Sequence, residues 1–318
     1  MTEWMLTAGQ AALGLALLYF GGEWLVRGAA AVAAEFGISP LAIGLTVVAF
    51  GTSAPELVVS LQAALSGASD IAVGNVVGSN IANIGLILGI AAVIQPLQVH
   101  ANIIRVDAPL MIAASLLMLA LLANGAVSRI EGVLLFAGLC AYVGYTLWQS
   151  RRETIAVQAE FDAGNPRDQG STLHHVLFIA IGLAALVGGG KALVAAAVTI
   201  AAGFGVSEAV IGLTIVAIGT SAPELAASTV AALRGQGDIA LGNVIGSNLF
   251  NILGILGVTA IVSPLPRGGV DWVTLGIMLA FALVLWPFAW SQRRLVRLEG
   301  IALLAAYAGY IAWLAVTA

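Results

Sequence analysis

The chain has 318 residues, of which 60% are hydrophobic and only 9% charged, with a mean hydropathy of +1.04. A net charge of -4 with no basic stripe argues against a nucleic-acid partner. The single cysteine, Cys140, excludes an internal disulfide and any cysteine metal cluster, and is expected to be an apolar packing residue.

Apolar runs of about 20 residues are long enough to cross a bilayer at 1.5 Å rise per residue, and the sequence reads as about ten of them. The first, 6–34, follows Glu3 with no Lys or Arg before it and is too long for a cleaved leader, so it is expected to be a permanent span. Next come 40–66, 70–94, 103–123 and 128–149. Residues 150–172 are the one substantial hydrophilic segment, a linker too short for a regulatory domain. The runs then resume at 173–203, 208–233, 238–262, 271–290 and 297–316. The two longest, 6–34 and 173–203, exceed what a bilayer needs and should lie tilted. Trp4, Trp148, Trp272 and Trp290 stand at run ends as an aromatic belt, and His100, His174 and His175 fall near span ends, where they are read as interfacial.

The second run contains Gly51-Thr-Ser-Ala-Pro-Glu-Leu57, and the same seven letters recur as Gly219 to Leu225, 168 positions later. At that offset 12 of 14 residues are identical between 44–57 and 212–225, and 14 of 20 between 70–89 and 238–257. Shared hydrophobicity does not produce such identity, so the chain is a tandem duplication of a unit of about five spans. Because five is odd, the second unit must enter the membrane from the opposite side. The expected fold is therefore an all-α polytopic membrane protein of about ten helices in two inverted five-helix repeats, with helices 2 and 7 broken. Its parts are a first unit over 1–149, a cytoplasmic linker over 150–172 and a second unit over 173–318. Placing both termini outside puts Arg105, Arg151, Arg152, Arg167, Arg234, Arg293, Arg294 and Arg297 inside, against Arg129 and Arg267 outside, as the positive-inside rule requires.

Glu56 and Glu224 stand near the middle of otherwise apolar runs, where a charged residue costs roughly 2.5 to 3.5 kcal/mol on insertion scales and so needs a compensating cation or proton. Pro55 and Pro223, just before them, have no N–H to donate to Gly51 and Gly219, so each helix should break there. That break is expected to free backbone oxygens at Ala49, Gly51 and Thr52 and at Ala217, Gly219 and Thr220. In the next run Asn75, Ser79 and Asn83 are spaced four apart and share one helix face, with Gly74 and Gly78 allowing close approach. The block Gly242 to Asn251 repeats the arrangement. An oxygen-only donor set without His or Cys suits a hard cation such as Ca²⁺ or Na⁺ better than zinc or copper. Asp70 and Asp238, which open their runs, are expected to be N-caps, and Glu23 and Lys191, equivalent across the repeat, to pair or snorkel.

On these paired Gly-Thr-Ser-Ala-Pro-Glu and Gly-Asn-Val-x-Gly-Ser-Asn blocks, the whole chain resembles the sodium/calcium exchanger family of the cation/Ca²⁺ antiporter superfamily, most closely its prokaryotic members. The resemblance implies spans 2, 3, 7 and 8 around the ions and spans 1 and 6 sliding across them. It implies Glu56 and Glu224 as the principal Ca²⁺ ligands, helped by backbone oxygens of Thr52 and Thr220. Ser53, Ser221, Ser79, Ser247, Ala49 and Ala217 would complete flanking Na⁺ sites, and Asn83 and Asn251 would face the centre. Many members have an aspartate where this chain has Asn251, so the cavity holds two carboxylates instead of three. The proton-coupled branch typically carries Gly-Asn-Ala-x-Glu in place of Gly-Thr-Ser-Ala-Pro-Glu, which favours Na⁺ as the coupling ion. The expected activity is Ca²⁺/Na⁺ antiport, with no cofactor, across a lipid bilayer, in the inner membrane of a prokaryote; the alternative is Ca²⁺/H⁺ antiport or antiport of another divalent cation against a monovalent cation. An intramembrane hydrolase is disfavoured by the lack of Gly-x-Ser-x-Gly and His-Glu-x-x-His. A passive channel is disfavoured by the inverted repeat and would conduct without a counter-ion.

Overall fold

The computed structural model describes residues 2–164, 171–203, 217–267, 269–290 and 293–317. The helices are α1 (Thr2–Phe36), α2 (Pro40–Thr52), α3 (Ala54–Leu65), α4 (Ser69–Ile94), α5 (Ile103–Ala123) and α6 (Arg129–Gly164). They continue with α7 (Thr172–Gly203), α8 (Ala217–Thr220), α9 (Ala222–Leu233), α10 (Gly237–Val262), α11 (Trp272–Trp290) and α12 (Arg297–Thr317). With α2 and α3 sharing one run and α8 and α9 another, the helices other than α6 match the apolar runs to within a few residues, although the start of the run 208–233 lies outside the described residues. Helix α6 continues to Gly164, so the first part of the hydrophilic linker is helical. Among the described residues, seven helices are long and apolar enough to cross a membrane, or eight when the bent pair α2 and α3 is one span. The protein is an integral membrane protein.

The two halves contact one another reciprocally. Strand β1 (Leu97–Gln98) pairs antiparallel with β4 (Arg294–Leu295), and β2 (Ala126–Val127) pairs antiparallel with β3 (Leu265–Pro266). Adding 168 to one pairing yields the other: Leu97 opposite Leu295 becomes Leu265 opposite Val127. These contacts are reciprocal: residue i meets j, and the mate of i meets the mate of j.

Helices α1 and α7 cross antiparallel with their backbones in contact. A Cβ at Gly14 would lie 3.0 Å from the Gly189 oxygen, one at Gly21 2.9 Å from the Gly182 oxygen, and one at Gly28 2.8 Å from the His175 oxygen. Only glycine leaves room at these crossings, since the nearest atom at each is backbone, which cannot give way. Gly182→Val is therefore expected to lower the thermal midpoint of the detergent-solubilised protein, at an overpacking cost of about 1–3 kcal/mol. Gly188→Val, at a helix position with open space, should leave that midpoint unchanged.

Several expectations require correction. Glu23 pairs with Arg234 at the end of α9, while Lys191 is exposed. The N-cap positions are Ala68 and Gln236, so Asp70 and Asp238 lie inside the first turn; Asp238 instead meets His100 at 3.1 Å. His175 is buried, 3.4 Å from Glu35. Cys140 is exposed on the outer face of α6, where a small apolar thiol sits in lipid as readily as in a core. The four belt tryptophans are about half exposed or more, as rings anchored at an interface should be.

Candidate functional site

Both proline motifs break their helices where the missing N–H predicts. Helix α2 ends at Thr52, Ser53 takes φ -85° and ψ 5°, and α3 departs at 45° with Pro55 and Glu56 in its first turn. The second copy repeats this: Ser221 takes φ -88° and ψ 9° between α8 and α9, with Pro223 and Glu224 in the first turn of α9. The ladder passes the proline through Ser53 N–H to the Ala49 oxygen (3.0 Å) and Leu57 N–H to the Ser53 oxygen (3.2 Å). The Ala49 carbonyl, expected to be freed, is thus engaged, and it also accepts from Thr52 Oγ1 at 3.4 Å. What the break supplies is a fresh helix start, where unsatisfied N–H groups and the positive end of the helix dipole stabilise a carboxylate.

The site is assembled by crossing between halves. Ser53 Oγ donates to Glu224 Oε1 at 2.7 Å and lies 3.1 Å from Ser247 Oγ; Ser221 Oγ donates to Glu56 Oε1 at 3.3 Å and lies 3.4 Å from Ser79 Oγ. Asn83 Nδ2 donates to Asn248 Oδ1 and Asn251 Nδ2 to Asn80 Oδ1, both at 3.0 Å. Thr52 Oγ1, with one proton to give, lies within hydrogen-bond distance of Val48 O (3.0 Å) and Asn243 Oδ1 (3.2 Å). The two glutamates are each 1% exposed. Ser53, Ser79, Ser221, Ser247, Asn83, Asn251, Thr52 and Ala49 are also buried, whereas Thr220 is half-buried. The backbone of Ala217 opens α8, and its side chain lies outside the described residues.

Sequence reasoning placed Asn75 and its mate Asn243 on the polar face of their helices but did not foresee that they support the glutamate turns. Asn75 Nδ2 donates to Ser60 Oγ (2.9 Å) and to the Glu56 carbonyl (3.2 Å), and Asn243 does the same with Ser228 (2.9 Å) and Glu224 (3.5 Å). These bonds tie α4 to α3 and α10 to α9, fixing the turn that carries each carboxylate. Asn80 and Asn248 were missed, although both lie in the duplicated block and identity across the repeat could have marked them. The π-helical turns at Asn83–Leu88 and Phe250–Ile255, which begin at the central asparagines, have no signal in the residues themselves.

Four buried acceptor oxygens in this cluster have no hydrogen-bond partner: Glu56 Oε2, Glu224 Oε2, Asn83 Oδ1 and Asn251 Oδ1. They form two repeat-related pairs. Buried polar atoms are otherwise almost always satisfied, and a bare acceptor costs about 1–3 kcal/mol, more when charged. Among the described residues there is no group of three or more His, Cys, Asp or Glu, so the donor set is two carboxylates and neutral oxygens. Such a set can hold hard cations.

A family model described as sodium/calcium exchanger protein matches residues 6–149 and 174–316, two matches that begin 168 residues apart. Inner membrane protein YrbG of Escherichia coli is 38% identical over 317 residues, covering 95% of this chain and 94% of the relative. Sodium/calcium exchanger MaX1 of Methanosarcina acetivorans is 34% identical over 338 residues, covering 94% and 95%. Among solved structures, the sodium-calcium exchanger NCX_Mj soaked with Na⁺ and Ca²⁺ superposes with a TM-score of 0.82 at 35% identity, covering 96% of this chain and 98% of that one.

Proposed function

The chain belongs to the sodium/calcium exchanger family of cation/Ca²⁺ antiporters, and on that premise we propose that it exports Ca²⁺ by admitting Na⁺ through one shared midplane site. The observation that carries this reading is the set of four bare oxygens, Glu56 Oε2, Glu224 Oε2, Asn83 Oδ1 and Asn251 Oδ1. Two carboxylates neutralise one Ca²⁺ or are shared by several Na⁺, and the two loadings exclude each other because they compete for the same oxygens. That exclusion couples the fluxes. Ser53, Ser79, Ser221, Ser247, Thr52, Thr220 and Ala217 supply the flanking oxygens in this scheme, and Ala49 does so through the carbonyl lone pair that Ser53 N–H does not use.

The architecture we propose around the site is ten spans in two inverted units, 1–149 and 173–318, joined by a cytoplasmic linker over 150–172, with both termini outside the inner membrane. The reciprocal hydrogen bonds and strand pairings support it, as does the eight-to-two arginine asymmetry. Alternating access then consists of α1 and α7, held together by their glycine crossings, moving as one body over the fixed cluster.

In proteoliposomes, an outward Na⁺ gradient should drive Ca²⁺ uptake. Uptake driven only by a pH gradient would replace Na⁺ with H⁺, which the same carboxylate oxygens can also accept. Ser53→Ala removes the 2.7 Å donor to Glu224 while leaving the carboxylate in place. A bond to a charged group contributes about 1.5–3 kcal/mol, so the Na⁺ concentration for half-maximal exchange should shift by roughly 10- to 100-fold. An unshifted Na⁺ titration would remove Ser53 from the site.

A further inference from the structure

The two central asparagines each sit at the end of a relay that begins at a methionine. Asn248 Nδ2 donates to Met111 Sδ at 3.4 Å, and Asn248 Oδ1 accepts from Asn83 Nδ2 at 3.0 Å. In the other half Asn80 Nδ2 donates to Met278 Sδ at 3.8 Å, and Asn80 Oδ1 accepts from Asn251 Nδ2 at 3.0 Å. All six side chains are buried, none more than 2% exposed. The remaining atoms at the head of each relay are the bare oxygens of Asn83 and Asn251.

A thioether sulfur accepts hydrogen bonds and donates none. An amide beside it can turn only its N–H₂ toward the sulfur, which directs its oxygen the other way. That oxygen in turn selects the N–H₂ of the next amide and leaves the next oxygen pointing onward. Reversing either relay would put an amide oxygen against sulfur with no proton between them. The repeat does not impose this arrangement: the positions equivalent to Met111 and Met278 are Leu279 and Leu110. The same acceptor has been placed in both halves from non-equivalent positions, one residue out of register.

We propose that Met111 and Met278 are positioning residues that, through Asn248 and Asn80, hold Asn83 and Asn251 with their carbonyl oxygens turned into the ion site. This rests on the cation-site reading above and deepens it. An amide presents either an acceptor or two donors, and only the first attracts a cation. Polarity fixed from a distance lets two neutral residues act as ligands beside only two carboxylates.

The test has two arms. Met111→Leu and Met278→Leu conserve volume and should each raise the Ca²⁺ concentration for half-maximal Na⁺-driven uptake about three- to tenfold, with maximal rate and thermal midpoint unchanged. Met118→Leu, on the same helix as Met111 and equally buried, should change none of these. The second arm is independent of transport: in reconstituted protein, solid-state NMR with ¹³C-methyl methionine and ¹⁵N side-chain asparagine should show Asn248 Nδ2 beside the Met111 methyl. Variants at Met111 and Met278 that behave as Met118→Leu does, or absence of that contact, would overturn the relay. If the wild type shows the contact but no Na⁺-driven Ca²⁺ uptake, the relay stands and the exchanger reading falls.

Discussion

Glu56→Gln and Glu224→Gln should each lower Na⁺-driven Ca²⁺ uptake by roughly 10²- to 10³-fold, and the double variant should abolish it. Each substitution keeps the shape and one acceptor oxygen, so Ser221 and Ser53 retain their partners. The loss is one of two negative charges facing the cation, and breaking a buried charged pair costs about 3–5 kcal/mol against about 1.4 kcal/mol per tenfold. The fold should not suffer: neutralising a buried carboxylate that lacks a protein cation is neutral or stabilising. The expected pattern is therefore transport lost with an unchanged or higher thermal midpoint in the absence of Ca²⁺ and Na⁺. Uptake that survives in the double variant would remove both glutamates from the site.

Pro55→Ala should separate stability from transport in the same direction. Alanine at that position restores an N–H that can reach the Gly51 carbonyl, and an alanine in a helix interior is favoured over proline by about 3 kcal/mol. The continuous helix that results rotates Glu56 away from Ser221 and removes the helix start from under its carboxylate. Ca²⁺ uptake is expected to fall by about tenfold or more while the thermal midpoint rises or holds. Gly67→Ala, at a φ of +77° in the loop after α3, gives the opposite control, reduced stability with normal ion dependence. A Pro55→Ala protein that exchanges ions normally would show that the break is dispensable.

The residues made the plan of the molecule legible, and for stated reasons. Apolar length located the helices because a bilayer leaves a backbone few alternatives. The missing N–H of Pro55 and Pro223 located both breaks, and letter-for-letter recurrence located the two glutamates. Local rules failed where the partner lies far along the chain. Asp238 looked like a cap until folding brought His100 to it, and Glu23, expected to pair with its repeat mate Lys191 or to snorkel, pairs with Arg234 across the helix crossing.

What the sequence by itself determined is which groups exist in duplicate: two carboxylates, two broken turns and two amide-rich helices, all 168 residues apart. Only the tertiary structure decided who meets whom. Ser53 serves Glu224 and not its neighbour Glu56, Asn83 binds Asn248, and Asn248 and Asn80 donate to Met111 on α5 and Met278 on α11. The physical reason is that the contacts between the halves are reciprocal and pair unlike positions, Ser53 with Glu224 and Ser221 with Glu56. Repeat offset fixes the set of partners, while helix crossing and π-turn register choose among them.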